Sequence, residues 1–119
     1  MRFRFEPVPD FLDQFDKLTR KDRALWERAI KKIDQILTNP EIGEPKKYRL
    51  KMARGVHVNP FVIVYMIVYM IVGDKIVFLW FDHHDQAYDK ASSILEKTAS
   101  DYPYLLRDDY CSKRNDKNR

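Results

Sequence analysis

Two long apolar segments, residues 61–72 and 76–81, are separated only by Gly73, Asp74 and Lys75. Both segments are rich in Val, Ile, Tyr and Phe, the residues that favour β-strands. Each is also too short to cross a membrane as a helix. Because Gly-Asp is a common two-residue hairpin turn, the sequence predicts two long paired strands at the centre of a sheet. The second segment contains no polar residue, and we expect it to be buried on both faces.

The first of these segments contains the sequence Val-Tyr-Met-Ile twice in succession, at residues 64–67 and 68–71. A four-residue repeat keeps the two-residue alternation of a strand in phase, so the tyrosines and isoleucines share one face and the valines and methionines the other. The repeat fits a regular extension of the strand, and it also fits a local duplication that bulges out of the sheet. The sequence leaves both alternatives open.

Two amphipathic helices are predicted before the hairpin, after a short strand near the N-terminus. Apolar residues recur with the helical period over about residues 10–18 and 19–37. Thr19 followed by Asp22 resembles a capping box that would open the second helix. Trp26 belongs to the apolar stripe of that helix, and we expect it in the core.

The order of elements predicts an α+β fold, in which a small antiparallel sheet of about four strands packs against an N-terminal helix pair and a C-terminal helix. The last helix is expected from about Tyr88 to Asp101, before Pro103. Residues 1–100 are predicted to form one domain. Residues 101–119 are predicted to be a C-terminal extension whose last residues are disordered.

Basic residues are concentrated just before the hairpin. The formal net charge is +4, and the segment from residue 46 to residue 73 has no acid but has Lys46, Lys47, Arg49, Lys51 and Arg54. Because residues 47–52 alternate strictly, three of these cations would share one face of a strand at a spacing of about 7 Å, which suits a phosphate backbone. An edge strand that lysines protect against aggregation gives the same pattern.

The sequence also indicates where the protein resides. The single cysteine, Cys111, cannot form an internal disulfide, and the N-terminus lacks the apolar segment of a secretory signal. We therefore expect a reducing, cytoplasmic setting, no membrane partner and no thiolate metal cluster.

A cluster of polar and titratable residues follows the second apolar segment, which is expected to end at Asp82. The cluster comprises Asp82, His83, His84, Asp85 and Tyr88. Histidine titrates nearest to neutral pH, and groups at the end of a rigid strand are well placed for a site. Asp85 is a candidate for orienting one of the histidines. The alternative is that the histidines merely cap the sheet.

The succession of strand, two helices, three antiparallel strands and helix resembles the RelE/ParE superfamily of toxins from type II toxin–antitoxin systems. The resemblance covers roughly residues 1–98 and depends on Tyr-Arg-Leu-Lys-Met at 48–52, Phe-Val-Ile-Val-Tyr at 61–65 and Phe-Asp-His-His-Asp-Gln-Ala-Tyr at 81–88. It implies a ribosome-dependent endoribonuclease that cuts mRNA in the ribosomal decoding site or, in the ParE branch, a non-cleaving poison of DNA gyrase. A cognate acidic antitoxin protein is the expected partner.

The resemblance also assigns roles by position. Lys51 matches basic residues that hold the RNA, and Tyr88 matches the tyrosine after the last strand. His83 or His84 matches a place where some members have a catalytic histidine and others an arginine. The sequence departs from the family at Val62, where many members have an arginine that binds phosphate. Arg49, Arg54 or His57 would have to replace that arginine.

The chemistry is consistent with these residues. RNA cleavage without a metal needs a base for the 2′-OH, a cation for the phosphate and an acid for the leaving oxygen. The predicted catalytic residues are His83, His84, Tyr88, Lys51 and Arg54, and the predicted RNA-binding residues are Lys46, Lys47, Arg49 and His57.

Two other interpretations stay open. A metal site built from His83, His84 and Asp85 is disfavoured because adjacent residues of an extended chain point apart, and no cofactor is expected. A basic module that grips nucleic acid or protein without cutting it is the main alternative to the enzyme.

Overall fold

The computed structural model of this 119-residue chain describes residues 2–46, 52–58 and 64–107. The helices of this part are α1 (Pro9–Thr19), α2 (Arg23–Thr38) and α3 (His84–Asp101). The strands are β1 (Arg4–Pro7), β2 (Glu44–Pro45), β3 (Ala53–Val58), β4 (Tyr65–Val72) and β5 (Lys75–His83), and short 3-10 turns lie at Pro40–Ile42 and Pro103–Leu106. The predicted α+β class is confirmed.

The strands form one sheet in the order β1-β5-β4-β3-β2. Three successive strands, β3, β4 and β5, pair antiparallel as predicted, and β2 pairs antiparallel with β3. β3 covers residues 53–58, whereas the sequence predicted a strand over residues 47–52, of which only residue 52 is described. β1 is parallel to β5, since the chain leaves β1 through helices and not through a hairpin. The sheet exceeds the expected size of about four strands by β2, which has only two residues.

The predicted hairpin is present, with its turn at Gly73 and Asp74. Gly73 has a φ of 61°, a left-handed value that glycine adopts without strain. β5 is buried on both faces, because residues 76–79 and Phe81 have no exposed surface. None of the helices in the described ranges combines the length and apolar character that crossing a membrane requires.

A register shift in the hairpin resolves the question of the repeat. Val68 pairs with Trp80, and the next residue, Tyr69, pairs with Phe78. The extra residue is therefore Leu79 of β5. The bulge lies in β5, and the Val-Tyr-Met-Ile repeat extends β4 regularly.

Helices cover both faces of β5. Phe11 and Phe15 of α1 pack on Phe78 and Phe81, with ring centroids 5.5 and 5.3 Å apart. α3 packs on β4 and β5. Because β5 is buried on both sides and α1 covers one of them, α3 covers the other.

The predicted capping box at the start of the second helix is wrong. α2 begins at Arg23, and its N-cap Asp22 accepts a hydrogen bond from the backbone N–H of Leu25 at 3.0 Å. Thr19 is the last residue of α1, where its hydroxyl donates to the carbonyl of Phe15 at 2.7 Å. Thr19 is therefore engaged within α1 and does not cap α2.

The prediction that Trp26 lies in the core is also wrong, since the residue is 41% exposed. α2 buries Leu25 and Ala29 completely, whereas Ile30 is 38% exposed. The apolar stripe of α2 is therefore wider than the surface that the rest of the described chain covers.

The C-terminal extension predicted at residues 101–119 is described as far as residue 107. The buried side chain of Lys75 donates to the carbonyl of Tyr104 at 3.3 Å, and Leu105 is buried in the core. The first residues of the extension thus pack on the domain. The predicted disorder concerns residues outside the described part.

Candidate functional site

All three histidines of the chain lie at one end of the sheet. His57 is in β3, His83 is the last residue of β5, and His84 is the first residue of α3. The ring of His57 stacks on that of His84, with centroids 5.0 Å apart and an interplanar angle of 25°. The ring of His83 stacks on Tyr65 of β4, at 4.7 Å and 30°.

The two stacked pairs lie on opposite sides of the strand ends. Tyr65 also stacks on Phe81, which packs on α1, so Tyr65 and His83 are on the α1 side. His57 pairs with the residue that follows Tyr65, and consecutive residues of a strand point to opposite faces. His57 and its partner His84 are therefore on the α3 side.

The boundary between β5 and α3 differs from the prediction. The strand continues to His83 and the helix begins at His84, so the predicted strand end at Asp82 and helix start near Tyr88 are wrong. Two hydrogen bonds fix the boundary: the N–H of His83 donates to the carboxylate of Asp82 at 2.7 Å, and the N–H of His84 donates to the carbonyl of Val64 at 2.8 Å. As a result, His84 and Tyr88 lie one turn apart on the same side of α3.

Asp82 belongs to the cluster seen in the sequence, but sequence reasoning assigned it no role. Its side chain is only 6% exposed, and its carboxylate accepts from Nε1 of Trp80 at 3.0 Å and lies 3.3 Å from Nδ1 of His83. Asp85, the carboxylate favoured from sequence, has a 99% exposed side chain 3.5 Å from Nδ1 of His84. The only sequence signal for Asp82 is its position directly before His83.

Tyr65 is a second group that the sequence did not single out. Burial raises the pKa of Tyr65 above its ordinary value of 10.0, and the carboxylates of Asp22 and Asp82 raise it further. The phenol is therefore neutral at physiological pH. It offers His83 an uncharged stacking surface.

Lys46, a predicted RNA-binding residue, lies over Gly55 of β3. A Cβ at Gly55 would be 2.5 Å from Cε of Lys46 and 3.1 Å from its Nζ, so the glycine leaves room for the lysine side chain. Gly55 and His57 are two residues apart and share a face of β3. The ammonium group of Lys46 is therefore on the same face of β3 as His57, and a cation and an imidazole on one face suit a phosphate.

A groove of about 330 Å³ opens beside His57, between α2 and β3. Its described lining residues are Arg28, Lys31, Lys32, Gln35, His57 and Val58, and none of them is acidic. A groove with this charge favours a polyanionic partner.

Arg54, a predicted catalytic residue, is separated from the histidines. Its guanidinium donates to the carbonyls of Gly43 at 2.8 Å and Glu41 at 3.5 Å. Arg54 and His57 are three residues apart and so point to opposite faces of β3. The side chain of Arg54 therefore stabilises the loop before β2.

The remaining predicted residues are on segments that the structure does not describe. Lys47, Arg49, Lys51 and Val62 lie outside the described residues, so the RNA-binding face and the protected edge both stay predictions. Among the residues in the described ranges, no three His, Cys, Asp or Glu side chains come together as they would to hold a metal ion.

Comparison with known proteins identifies the family. The family model described as ParE toxin of type II toxin-antitoxin system, parDE, matches residues 6–88. A relative from Methanocaldococcus jannaschii, provisionally named as toxin RelE4, is 27% identical over 89 residues, which cover 74% of this chain and 93% of that protein.

Solved structures share the fold at low sequence identity. The Escherichia coli toxin RelE, as a double mutant in the free state, has a TM-score of 0.63 at 16% identity and covers 78% of this chain and 97% of its own. The YoeB dimer from Staphylococcus aureus has a TM-score of 0.58 at 17% identity, covering 71% of this chain and 99% of its own. The toxin-antitoxin complex RelBE2 from Mycobacterium tuberculosis has a TM-score of 0.52 at 17% identity, covering 71% and 100%. Because the family model spans residues 6–88, this chain belongs to the ParE toxin family and is a toxin of a type II toxin–antitoxin system with a RelE-like fold.

Proposed function

We propose that this toxin is a metal-independent endoribonuclease that cleaves mRNA in the decoding site of the ribosome. The observation that supports it most is the gathering of His57, His83 and His84 at one end of the sheet, with Lys46 on the face of His57. Imidazoles exchange protons near neutral pH, a property that cleavage needs and simple binding does not. The RelE resemblance implies the same reaction.

The reaction is a transfer within the RNA. A base removes the proton of a ribose 2′-OH, the 2′-oxygen bonds to the adjacent phosphorus, and the bond from phosphorus to the 5′-oxygen of the next nucleotide breaks. An acid donates a proton to that leaving oxygen. The products are a 2′,3′-cyclic phosphate and a 5′-hydroxyl, with no oxidant or reductant required.

Side chains can fill each of these roles. The proposed groups are His83, His84 and Tyr88 for proton transfer, Lys46 and His57 for the phosphate, and Lys47, Arg49 and Lys51 along the RNA. Arg54 is a weaker candidate than the sequence indicated, because its guanidinium is bonded to the loop before β2.

The test is cleavage of a defined mRNA on translating ribosomes by the purified toxin. We expect breaks within ribosome-bound message, and we expect a chelator selective for transition metals, added at constant Mg²⁺, to leave the rate unchanged. The matched control is the same mRNA without ribosomes. A message that stays intact in every context would overturn the proposal.

A cognate antitoxin is the proposed protein partner. Leu12, Trp26 and Ile30 are exposed on α1 and α2. A groove of about 780 Å³, lined by residues of these helices and of the turn between them, includes Leu12, Phe15 and Trp26. Exposed apolar patches on a small domain mark interaction sites, and the net charge of +4 favours an acidic partner. RelBE2, which shares the fold, was solved as a toxin-antitoxin complex.

A gyrase poison is the second candidate, because the matching family model is that of ParE. Such a toxin would bind without proton transfer and would not depend on the imidazoles. Inhibition of DNA supercoiling by purified gyrase, with mRNA left intact, would favour this function.

A further inference from the structure

The carboxylate of the Asp82–His83 pair is buried, whereas that of the neighbouring Asp85–His84 pair is exposed. Asp82 is 6% exposed at its side chain and His83 is 42% exposed. The carboxylate of Asp82 is held in place by donors from Trp80 at 3.0 Å and from the backbone N–H of His83 at 2.7 Å. A buried carboxylate with fixed donors presents a rigid acceptor to the ring of His83.

This acceptor determines which nitrogen of His83 carries the proton. Nδ1 lies 3.3 Å from Oδ1 of Asp82, and an ionised carboxylate can only accept a hydrogen bond. Of the two neutral tautomers of His83, the one with the proton on Nδ1 is therefore favoured. Nε2 is then left as an unprotonated acceptor on the half-exposed ring.

The position of His83 also fits a reaction in which base and acid act from different sides. The attacking and leaving oxygens are roughly in line across the phosphorus. His83 lies on the α1 side of the strand end, against Tyr65, and His84 lies on the α3 side, against His57. A phosphate placed across the end of β5 would have one imidazole on each side.

We propose that Asp82 is a positioning residue that holds His83 in the Nδ1–H tautomer, so that Nε2 of His83 is the general base of RNA cleavage and His84 is on the side of the leaving group. The proposal rests on the proposed endoribonuclease function. In the step, Nε2 takes the 2′-OH proton while the 2′-oxygen bonds to phosphorus and the bond to the 5′-oxygen breaks, and the leaving oxygen takes its proton from the His84 side.

The groups around His83 are consistent with this assignment. Asp82 is the carboxylate on its own strand, and Tyr65 is the titratable group that faces it from β4. Asp22, at the N-terminus of α2, interacts with Tyr65. Asp85 cannot orient His84 to the same extent, because its side chain is 99% exposed and its interaction with the ring is weakened by water.

The first test reads the tautomer and needs no activity. At a pH high enough for the imidazole to be neutral, ¹⁵N NMR of the folded toxin should show His83 in the Nδ1–H form. Asp82→Asn should lose that preference, because an amide can donate as well as accept. Asp85→Asn, the matched control, should leave His83 unchanged. A predominantly Nε2–H form in the wild type would overturn the inference.

The second test is a double-mutant cycle on ribosome-dependent cleavage. We expect Asp82→Asn to lower turnover by about tenfold or more with little change in KM, as part of the hundredfold or more that a general base supplies. In a His83→Ala background the same change should cost nothing further, because Asp82 acts through His83. Asp74→Asn, the same change in the hairpin turn at the opposite end of β5, should retain wild-type turnover.

The outcomes separate this inference from the proposed function. Additive losses from Asp82→Asn and His83→Ala, or a loss explained by unfolding in a parallel melting curve, would make Asp82 merely structural. If the wild type cleaves mRNA and the His83→Ala variant cleaves it as fast, His83 is not the general base, but the protein is still a ribonuclease. A wild type with the expected tautomer that never cleaves would overturn the ribonuclease, and with it the base.

Discussion

Replacing Tyr69 with phenylalanine tests how the loop before β2 is held. The side chain of Tyr69 is fully buried, and its hydroxyl accepts from the N–H of Gly43 at 3.0 Å and donates to the carbonyl of Pro40 at 2.7 Å. Gly43 and Pro40 are themselves buried. Tyr69→Phe removes both bonds and keeps the ring.

The size of the effect follows from the two groups that lose their partner. A buried donor or acceptor left unpaired costs about 1–3 kcal/mol, and removing the buried hydroxyl recovers part of that cost. We therefore expect Tyr69→Phe to lower the free energy of unfolding by about 2–4 kcal/mol, a large share of the roughly 5–15 kcal/mol of a typical domain.

Urea unfolding and amide exchange measure this change. The N–H of Gly43 should exchange faster in Tyr69→Phe than in the wild type, and this increase should be larger than that of the central amides of β5. Tyr104→Phe is the matched control, because Tyr104 is 51% exposed and its hydroxyl should contribute no more than about 0.5 kcal/mol. Equal effects of the two substitutions would refute the role given to the Tyr69 hydroxyl.

Three further predictions concern charge, pH and the partner. Lys46→Ala should weaken RNA binding and reduce the salt slope by about one, whereas Lys97→Ala, whose ammonium pairs with Asp10 at 3.1 Å, should not; binding across a salt series distinguishes them. Burial raises the pKa of the Tyr69 phenol above 10.0, so the unfolded chain loses the phenol proton at a lower pH than the folded protein does. The free energy of unfolding should therefore fall as the pH rises above about 10, and it should fall less steeply in Tyr69→Phe; unfolding curves at alkaline pH measure both. Trp26→Ser should lower antitoxin affinity by about tenfold or more in calorimetry, as for an aromatic anchor, while a melting curve shows that the variant still folds.

Local patterns sufficed for much of the fold. The hairpin at Gly73 and the burial of residues 76–79 and Phe81 on both faces of β5 follow from uninterrupted strand formers around a turn dipeptide. The α2 boundary was missed because Thr19 and Asp22 are both good caps, whereas α1 extends as far as Thr19 and the hydroxyl of Thr19 bonds within it. Trp26 was assigned to the core because periodicity shows which face of a helix is apolar but does not show how much of that face is covered by the rest of the protein.

The site was predictable in its residue types and less so in its geometry. The titratable cluster after β5 was visible in sequence, but the stacking of His57 on His84 depends on the pairing of β3 with β4, which is not local. The burial of Asp82 depends on Trp80 and on the strand continuing to His83. The bond between Arg54 and the carbonyl of Gly43 could not be predicted, because the two residues are eleven positions apart in the sequence.

The most direct test of proton transfer at this end of the sheet compares the wild type with the double variant His84→Ala, Tyr88→Phe on translating ribosomes, with the ends of the cut mRNA identified chemically. The wild type should give 2′,3′-cyclic phosphate and 5′-hydroxyl ends. The double variant should still associate with ribosomes but should cleave slower by on the order of a hundredfold or more. Wild-type cleavage rates in the double variant, or 5′-phosphate ends from the wild type, would contradict acid–base catalysis by this site.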